Sequence, residues 1–264
     1  MNRNSKAPVI ALVGNPNAGK TTIFNQLTGS RQRVGNWPGV TVERVDGVLN
    51  AGDGTIRVVD LPGIYSLFAG TEDEQVARSF LLDREASLVV NVVSAEHLER
   101  HLYLTTQLLE LDLPVVIVVT MVDRARERGI RIDFEHLSHH LGVPVYGVNG
   151  LDGEDTRALR GHLARQVVEP IANPVDISYP DSIERVVSSW HGRLSDLSQA
   201  TGLPARWLGI KLLEGDQPVR DLVILHEVMP QEDLERTAQE LTAIEGEELD
   251  IVLADARFGF IHGV

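Results

Sequence analysis

From residue 8 to about 170, short runs of Val, Ile and Leu alternate with stretches whose apolar residues recur at helical spacing. Runs of about four to eight apolar residues suit strands buried on both faces, and a period near 3.6 suits helices packed over them. The pattern predicts strands near 8–13, 42–49, 55–60, 87–93, 115–120 and 144–147. Helices are predicted near 20–28, 72–82, 97–111, 133–141 and 154–168, with Gly29, Gly129 and Gly142 as stops. Strands alternating with helices define an α/β domain, here a mostly parallel six-stranded sheet with helices on both faces. After Pro170 the pattern changes. Asn173-Pro174 and Tyr179-Pro180 punctuate a linker, strand-like runs largely vanish, and the rest reads as helical. The expected domains are 1–170 and an all-helical 171–264.

Composition sharpens this picture at a few points. The chain has 264 residues, 43% of them hydrophobic, enough for a substantial core. Its net charge of -14 argues against broad attraction to nucleic acid or anionic lipid. Residues 171–264 hold 17 acidic and 7 basic side chains, net -10, which leaves -4 for the first 170. The densest acidic run, Glu245 to Asp250, reads as a solvated helix boundary rather than a cation site. Zero cysteines exclude disulfides and thiolate metal sites. With no signal-peptide pattern and no run of about 18 apolar residues, the expected compartment is the cytosol.

The first strand runs into Gly14-Asn15-Pro16-Asn17-Ala18-Gly19-Lys20-Thr21, which fits the P-loop spacing G-x-x-x-x-G-K-[ST]. Such a loop turns its backbone N–H groups toward phosphate oxygens, and the following helix adds the positive end of its dipole. Lys20 is expected to reach the β- and γ-phosphates, Thr21 to place its hydroxyl on Mg²⁺, and Thr22 to lie beside it. At the end of the third strand, Asp60-Leu61-Pro62-Gly63 supplies a carboxylate for Mg²⁺ and a Gly63 N–H for the γ-phosphate. Between these sites runs Val34 to Glu43, a glycine-rich switch loop in which Gly39 and Val40 lead to Thr41, the second expected Mg²⁺ ligand. Trp37 in that loop has two readings, a residue ordered by ligand or a hydrophobic plug.

GTPases of this architecture usually read guanine with N-K-x-D after the fifth strand. Here the run is Thr120-Met121-Val122-Asp123. Asp123 keeps the guanine-reading carboxylate, whereas Thr120 offers one donor and does not bridge as an asparagine amide does. One lost neutral hydrogen bond weakens affinity by about 0.5–1.5 kcal/mol. The last base-contact loop falls at Val148-Asn149-Gly150, where Ser-Ala is usual. Weak guanine-nucleotide binding follows.

The segments Asn15 to Asn25, Val34 to Glu43 and Asp60 to Ser66 together resemble the amino-terminal region of the FeoB ferrous-iron transporters. The likeness continues in Leu98 to Leu108, in His140 to Val145, and in the second domain in Arg206 to Asp216 and Ala254 to Phe258. It implies a Ras-like P-loop GTPase domain, a helical domain likened to a nucleotide dissociation inhibitor, and a membrane region carrying Fe²⁺ beyond this chain. The expected partners are therefore GTP or GDP and the membrane region of the same full-length protein, at the cytoplasmic face of a bacterial inner membrane, with homo-oligomers possible. Ile64 stands where many small GTPases carry a water-orienting glutamine. The resemblance implies that K⁺ supplies charge there, held by Asn17, with slow turnover carried by Lys20, Asn17, Thr41 and Gly63. A loop residue tolerating an unusual backbone angle is the bland reading of Asn17.

Two other functions compete. One is a nucleotide-dependent regulatory module whose hydrolysis is incidental. The other is an Era-like GTPase acting on ribosomes, which the acidic second domain disfavours. His97 and His101, and His136, His139 and His140, share helix faces and invite a metal reading, but solvent-exposed helix surface is the expectation.

Overall fold

The computed structural model describes residues 7–29, 32–52, 54–68, 70–149, 153–171 and 175–263. The chain divides into two compact units, Met1–Val175 and Asp176–Gly263. In the first, seven strands form one sheet: β1 (Val9–Gly14), β2 (Gln32–Asn36), β3 (Glu43–Ala51), β4 (Gly54–Asp60), β5 (Leu88–Ser94), β6 (Val115–Thr120) and β7 (Val145–Gly147). Their order is β2-β3-β4-β1-β5-β6-β7. β4, β1, β5, β6 and β7 run parallel, while β2-β3 and β3-β4 are antiparallel pairs. Six helices accompany them: α1 (Lys20–Thr28), α2 (Glu72–Leu82), α3 (Leu98–Glu110), α4 (Val122–Glu127), α5 (Phe134–Leu141) and α6 (Gly153–Val168).

Every residue of β5 and β6 is buried, as expected for central parallel strands covered on both faces. Ile10, Leu12, Val90 and Val118 of the sheet form a core cluster with Ile23, Phe24 and Leu27 of α1 and Leu159 and Leu163 of α6. In β5 the buried Asn91 amide donates to Thr105 of α3 at 2.6 Å.

Six strands were expected and seven are present among the described residues. The extra one, β2, pairs with β3 with Val34 opposite Val45. All five of its residues are exposed, so no buried alternation marks it in the sequence. Backbone pairing makes the strand, and it claims Val34 to Asn36 from the expected switch loop, which begins at Trp37 instead. The short α4 was also unread, because six residues dominated by charge carry too little periodicity.

The second unit holds α7 (Asp181–Thr201), α8 (Ala205–Leu213), α9 (Gln217–Leu225), α10 (Gln231–Glu245) and α11 (Leu249–His262). Pro180, Pro204 and Pro230 stand at helix N-caps, and Gly202 and Gly246 end helices in the left-handed conformation. The acidic run from Glu245 falls at the junction of α10 and α11. Of the expected linker, Asn173 and Pro174 lie outside the described residues. No described helix is long and apolar enough to cross a membrane.

Inside this unit the Glu214 carboxylate accepts from Lys211 and, at 2.6 Å, from Arg257 Nη1. Lys211 and Arg257 are fully buried. Burial pushes the Glu214 carboxyl up, but the two cations outweigh it and hold its pKa at about 2.

Candidate functional site

The site grows from the junction of β1 and α1. Gly14 is required where β1 meets β5, since a Cβ there would stand 2.3 Å from the Val92 carbonyl oxygen. The loop then turns through two left-handed residues, Asn17 at φ 64° and Gly19 at φ 88°. Ala18 N–H donates to the Asn15 carbonyl at 3.1 Å and closes the turn. Asn15 is buried, and neither amide atom has a partner among the described residues. Gly19 is the N-cap of α1, with no side-chain cap and no acidic residue in the first turn. The N–H groups of that turn are therefore uncapped by any side chain, in the positive end of the helix dipole, which suits an anion.

Lys20 and Asp60 meet here. Lys20 Nζ donates to Asp60 Oδ1 at 2.5 Å with both side chains largely buried. Burial pushes the Asp60 carboxyl up, and Lys20 only partly opposes it. Past β4, Leu61 N–H donates to Leu12 at 3.0 Å and Ile64 N–H to Gly14 at 3.1 Å, so the chain follows the P-loop. Gly63 lies against Pro16, with room for a Cβ only 3.3 Å from it. Ile64 is buried. Thr21 and Thr22 are exposed in the first turn of α1.

Thr41 is placed differently. It is exposed, and its hydroxyl donates to Glu72 at the start of α2 at 3.3 Å. The preceding turn is closed by Trp37 N–H to Val42 at 2.9 Å and Val40 N–H to Trp37 at 3.3 Å, with Gly39 at φ 81°. Trp37 itself is buried, edge-on to Phe80 at 5.5 Å, with the Arg44 guanidinium 4.3 Å over its ring. Of its two readings, the hydrophobic plug is the one observed.

At the other end of the site, Thr120 closes β6. Its hydroxyl donates to the Ala18 carbonyl at 2.6 Å and lies 3.2 Å from the Val93 carbonyl. This single donor ties the P-loop to the end of the sheet. Its one hydrogen is spent inside the protein. Met121, at φ 57°, accepts a weak hydrogen bond from Ser94 Oγ at 3.4 Å. Asp123 sits exposed in the first turn of α4. Val148 is buried and its N–H donates to Val119 at 2.8 Å, while Asn149 N–H donates to Asp155 at 3.0 Å. Gly150 lies outside the described residues.

His101 departs from expectation, being buried rather than solvent-exposed. Its Nδ1 accepts the Ser94 N–H at 3.0 Å, at the end of β5 where the Ser94 hydroxyl meets Met121. Burial, with Arg100 and His97 nearby, lowers its pKa to about 4, so the ring is neutral at pH 7. The spacing that put His101 on one face with His97 could not say which face was covered. No group of three or more His, Cys, Asp or Glu side chains gathers as a metal site among the described residues.

A P-loop opening α1, an aspartate ending the neighbouring β4, and an exposed aspartate after β6 on a doubly covered sheet define a P-loop GTPase fold. Residues 8–163 match the family model for ferrous iron transport protein B, and residues 179–264 match that for the FeoB cytosolic helical domain. The chain belongs to the FeoB family. The Fe(2+) transporter FeoB of Escherichia coli (strain K12) is 44% identical over 220 residues, covering 80% of this chain and 27% of that protein. For the FeoB of Legionella pneumophila (strain Lens) the figures are 38% over 260 residues, 96% and 32%. The chain thus spans about a third or less of the length of these relatives. Among solved structures, a GDP-bound variant of the S. thermophilus FeoB G-domain matches with TM-score 0.84 and 37% identity over 97% of this chain and 96% of that one. The cytosolic domain of T. maritima FeoB in a GDP form matches with TM-score 0.84 and 29% identity, covering 98% and 96%.

Proposed function

We propose that this chain is the nucleotide-switch portion of a ferrous-iron transporter, binding GTP and GDP at the cytoplasmic face of a bacterial inner membrane and hydrolysing GTP slowly. The observation that carries this reading is the uncapped α1 N-terminus joined to the Lys20–Asp60 pair, a phosphate cradle next to an oxygen ligand. Backbone donors of Asn17 and of Gly19 to Thr22 surround the phosphates, and Lys20 exchanges Asp60 for phosphate oxygens when nucleotide enters. Thr21, Asp60 and, once free of Glu72, Thr41 would hold Mg²⁺ through oxygen alone, which suits that ion. When bound, Mg²⁺ neutralises charge on the β- and γ-phosphates. For Thr41 to join, it must leave Glu72, and that exchange is the switch. Gly39, Val40 and Gly63 supply backbone groups around the γ-phosphate. Asn17, exposed at the tip of the loop, is the side chain placed to hold K⁺, and Ile64 supplies no polar group to orient water.

Asp123 reads guanine, with Met121, Val148 and Asn149 around the base. Thr120 positions Ala18 and gives the base no donor, so affinity is modest. The switch loops couple nucleotide state to the membrane region, and nucleic acid has no part.

The test is phosphate release with GTP and with ATP, each in potassium and in sodium, with Asn17→Ala alongside. Turnover confined to GTP, raised by potassium and losing that stimulation in Asn17→Ala, is the expected result. Equal use of both nucleotides refutes the guanine assignment. Guanine binding without turnover in any salt leaves the purely switching module, which the apolar, buried Ile64 favours.

A further inference from the structure

Beside the switch loop, Trp37, Val40, Val76 and Phe80 form the apolar part of a cleft of about 400 Å³ between that loop and α2. This is within the size of small-ligand or side-chain pockets, about 300–1,000 Å³. Three carboxylates, Glu72, Asp83 and Glu85, line its edge. None of them forms an ion pair among the described residues. The one cation among the described lining residues, Arg44, is already paired with Asp46 at 3.0 Å and lies over the Trp37 ring. Arg84, between two of the carboxylates in sequence, donates instead to the Leu111 carbonyl at 2.9 Å. The cleft is therefore apolar at its base and negative at its rim. A second feature is independent of the charge: the Trp37 indole N–H is buried and has no acceptor among the described residues. A buried donor without an acceptor is rare and calls for a partner.

An occupant that answers all three features carries a cationic head for the carboxylates, an aliphatic stem for the floor, and a carbonyl for the indole, whose covered N–H must turn outward to meet it. A lysine or arginine in a polypeptide brings these together, since its stem buries while its charge stays at the rim and its backbone supplies the acceptor. We propose that this cleft docks a basic, partly apolar peptide segment of a partner protein. A simple polyamine has no carbonyl, and a second copy of this chain, at net -14, is electrostatically mismatched.

The test is isothermal titration of the whole chain, without nucleotide, with three probes: acetylated and amidated Gly-Arg-Leu-Arg-Leu-Lys-Gly, its glutamate-for-arginine-and-lysine counterpart, and spermidine. Omitting nucleotide keeps the outcome separate from that of the guanine-site proposal. The basic peptide is expected to bind with a micromolar dissociation constant at near-physiological salt, and the acidic one not to bind. Reversing two exposed charges, Asp83→Lys with Glu85→Lys, should weaken the basic peptide about tenfold or more with the circular dichroism spectrum unchanged. Trp37→Phe, which keeps the floor and removes the donor, should weaken it about threefold. No binding, or binding indifferent to the charge reversals, overturns the site. Spermidine matching the peptide overturns the peptide assignment.

Discussion

Two buried lysine–carboxylate pairs in this molecule behave in opposite ways. In the nucleotide-site unit, Asp60 has Lys20 alone, and burial leaves its carboxyl pushed up. In the helical unit, Glu214 has both Lys211 and Arg257, and its pKa is held at about 2. One cation does not fully compensate a buried carboxylate, and two do. The first arrangement leaves an aspartate short of positive charge, which fits its proposed exchange of Lys20 for a magnesium ion. The second locks α8 to α11. The same chemistry serves exchange in one place and permanence in the other, and the number of partners separates them.

The sharpest way to break this contrast is Glu214→Gln. It removes the charge that Lys211 and Arg257 share, and losing one partner of a buried ionic group costs about 3–5 kcal/mol. Urea unfolding should show a loss of that size in the helical unit. A loss below about 1 kcal/mol would mean that the triad locks nothing.

Acid should separate the units next. The folded His101 is lowered from 6.5 to about 4, so an unfolded chain takes up that proton first. Its contribution to stability is complete above about pH 6.5 and drains away as pH falls toward 4. Glu214 is depressed from 4.5 to about 2, so its contribution holds above 4.5 and is lost only as pH falls toward 2. Following the indole NMR signals, Trp37 should lose its native position at a higher pH than Trp190 and Trp207. The reverse order would contradict both assignments.

The smallest effect is expected for Asp60→Asn. A carboxyl pushed up by folding is a charge that the fold bears at a cost, a cost that disappears as pH falls through its folded pKa. Removing that charge should change stability at neutral pH by less than about 1 kcal/mol, read by the same urea titration, even as Mg²⁺-dependent nucleotide affinity falls.

Much of this was legible in the residues. The uninterrupted Val runs of β5 and β6 announce buried parallel strands because both faces need apolar side chains. The P-loop and Asp60 are legible because phosphate chemistry fixes both residue type and spacing. β2 was not, since Gln32 to Asn36 bury nothing and their pairing is decided by backbone bonds to β3. Thr120 was recognised as a departure, but its bond to Ala18 joins residues 102 apart in the chain, and no local pattern records it. His101 and Glu214 were missed for a related reason: a helix period says that one face is covered without saying what covers it. Thr41 keeps its expected position in the chain while its hydroxyl answers to Glu72, a partner 31 residues away.

The left-handed turn at Asn17 and Gly19 is closed by the loop's own Ala18 to Asn15 bond and braced by Thr120. A receptor loop shaped in advance gives up little conformational freedom when its ligand arrives. Association should then be governed by diffusion and the charge of Lys20, and nearly the same for GTP and GDP. Whatever distinguishes the two nucleotides, or a variant at the base end from its parent, will be written in how long the ligand stays.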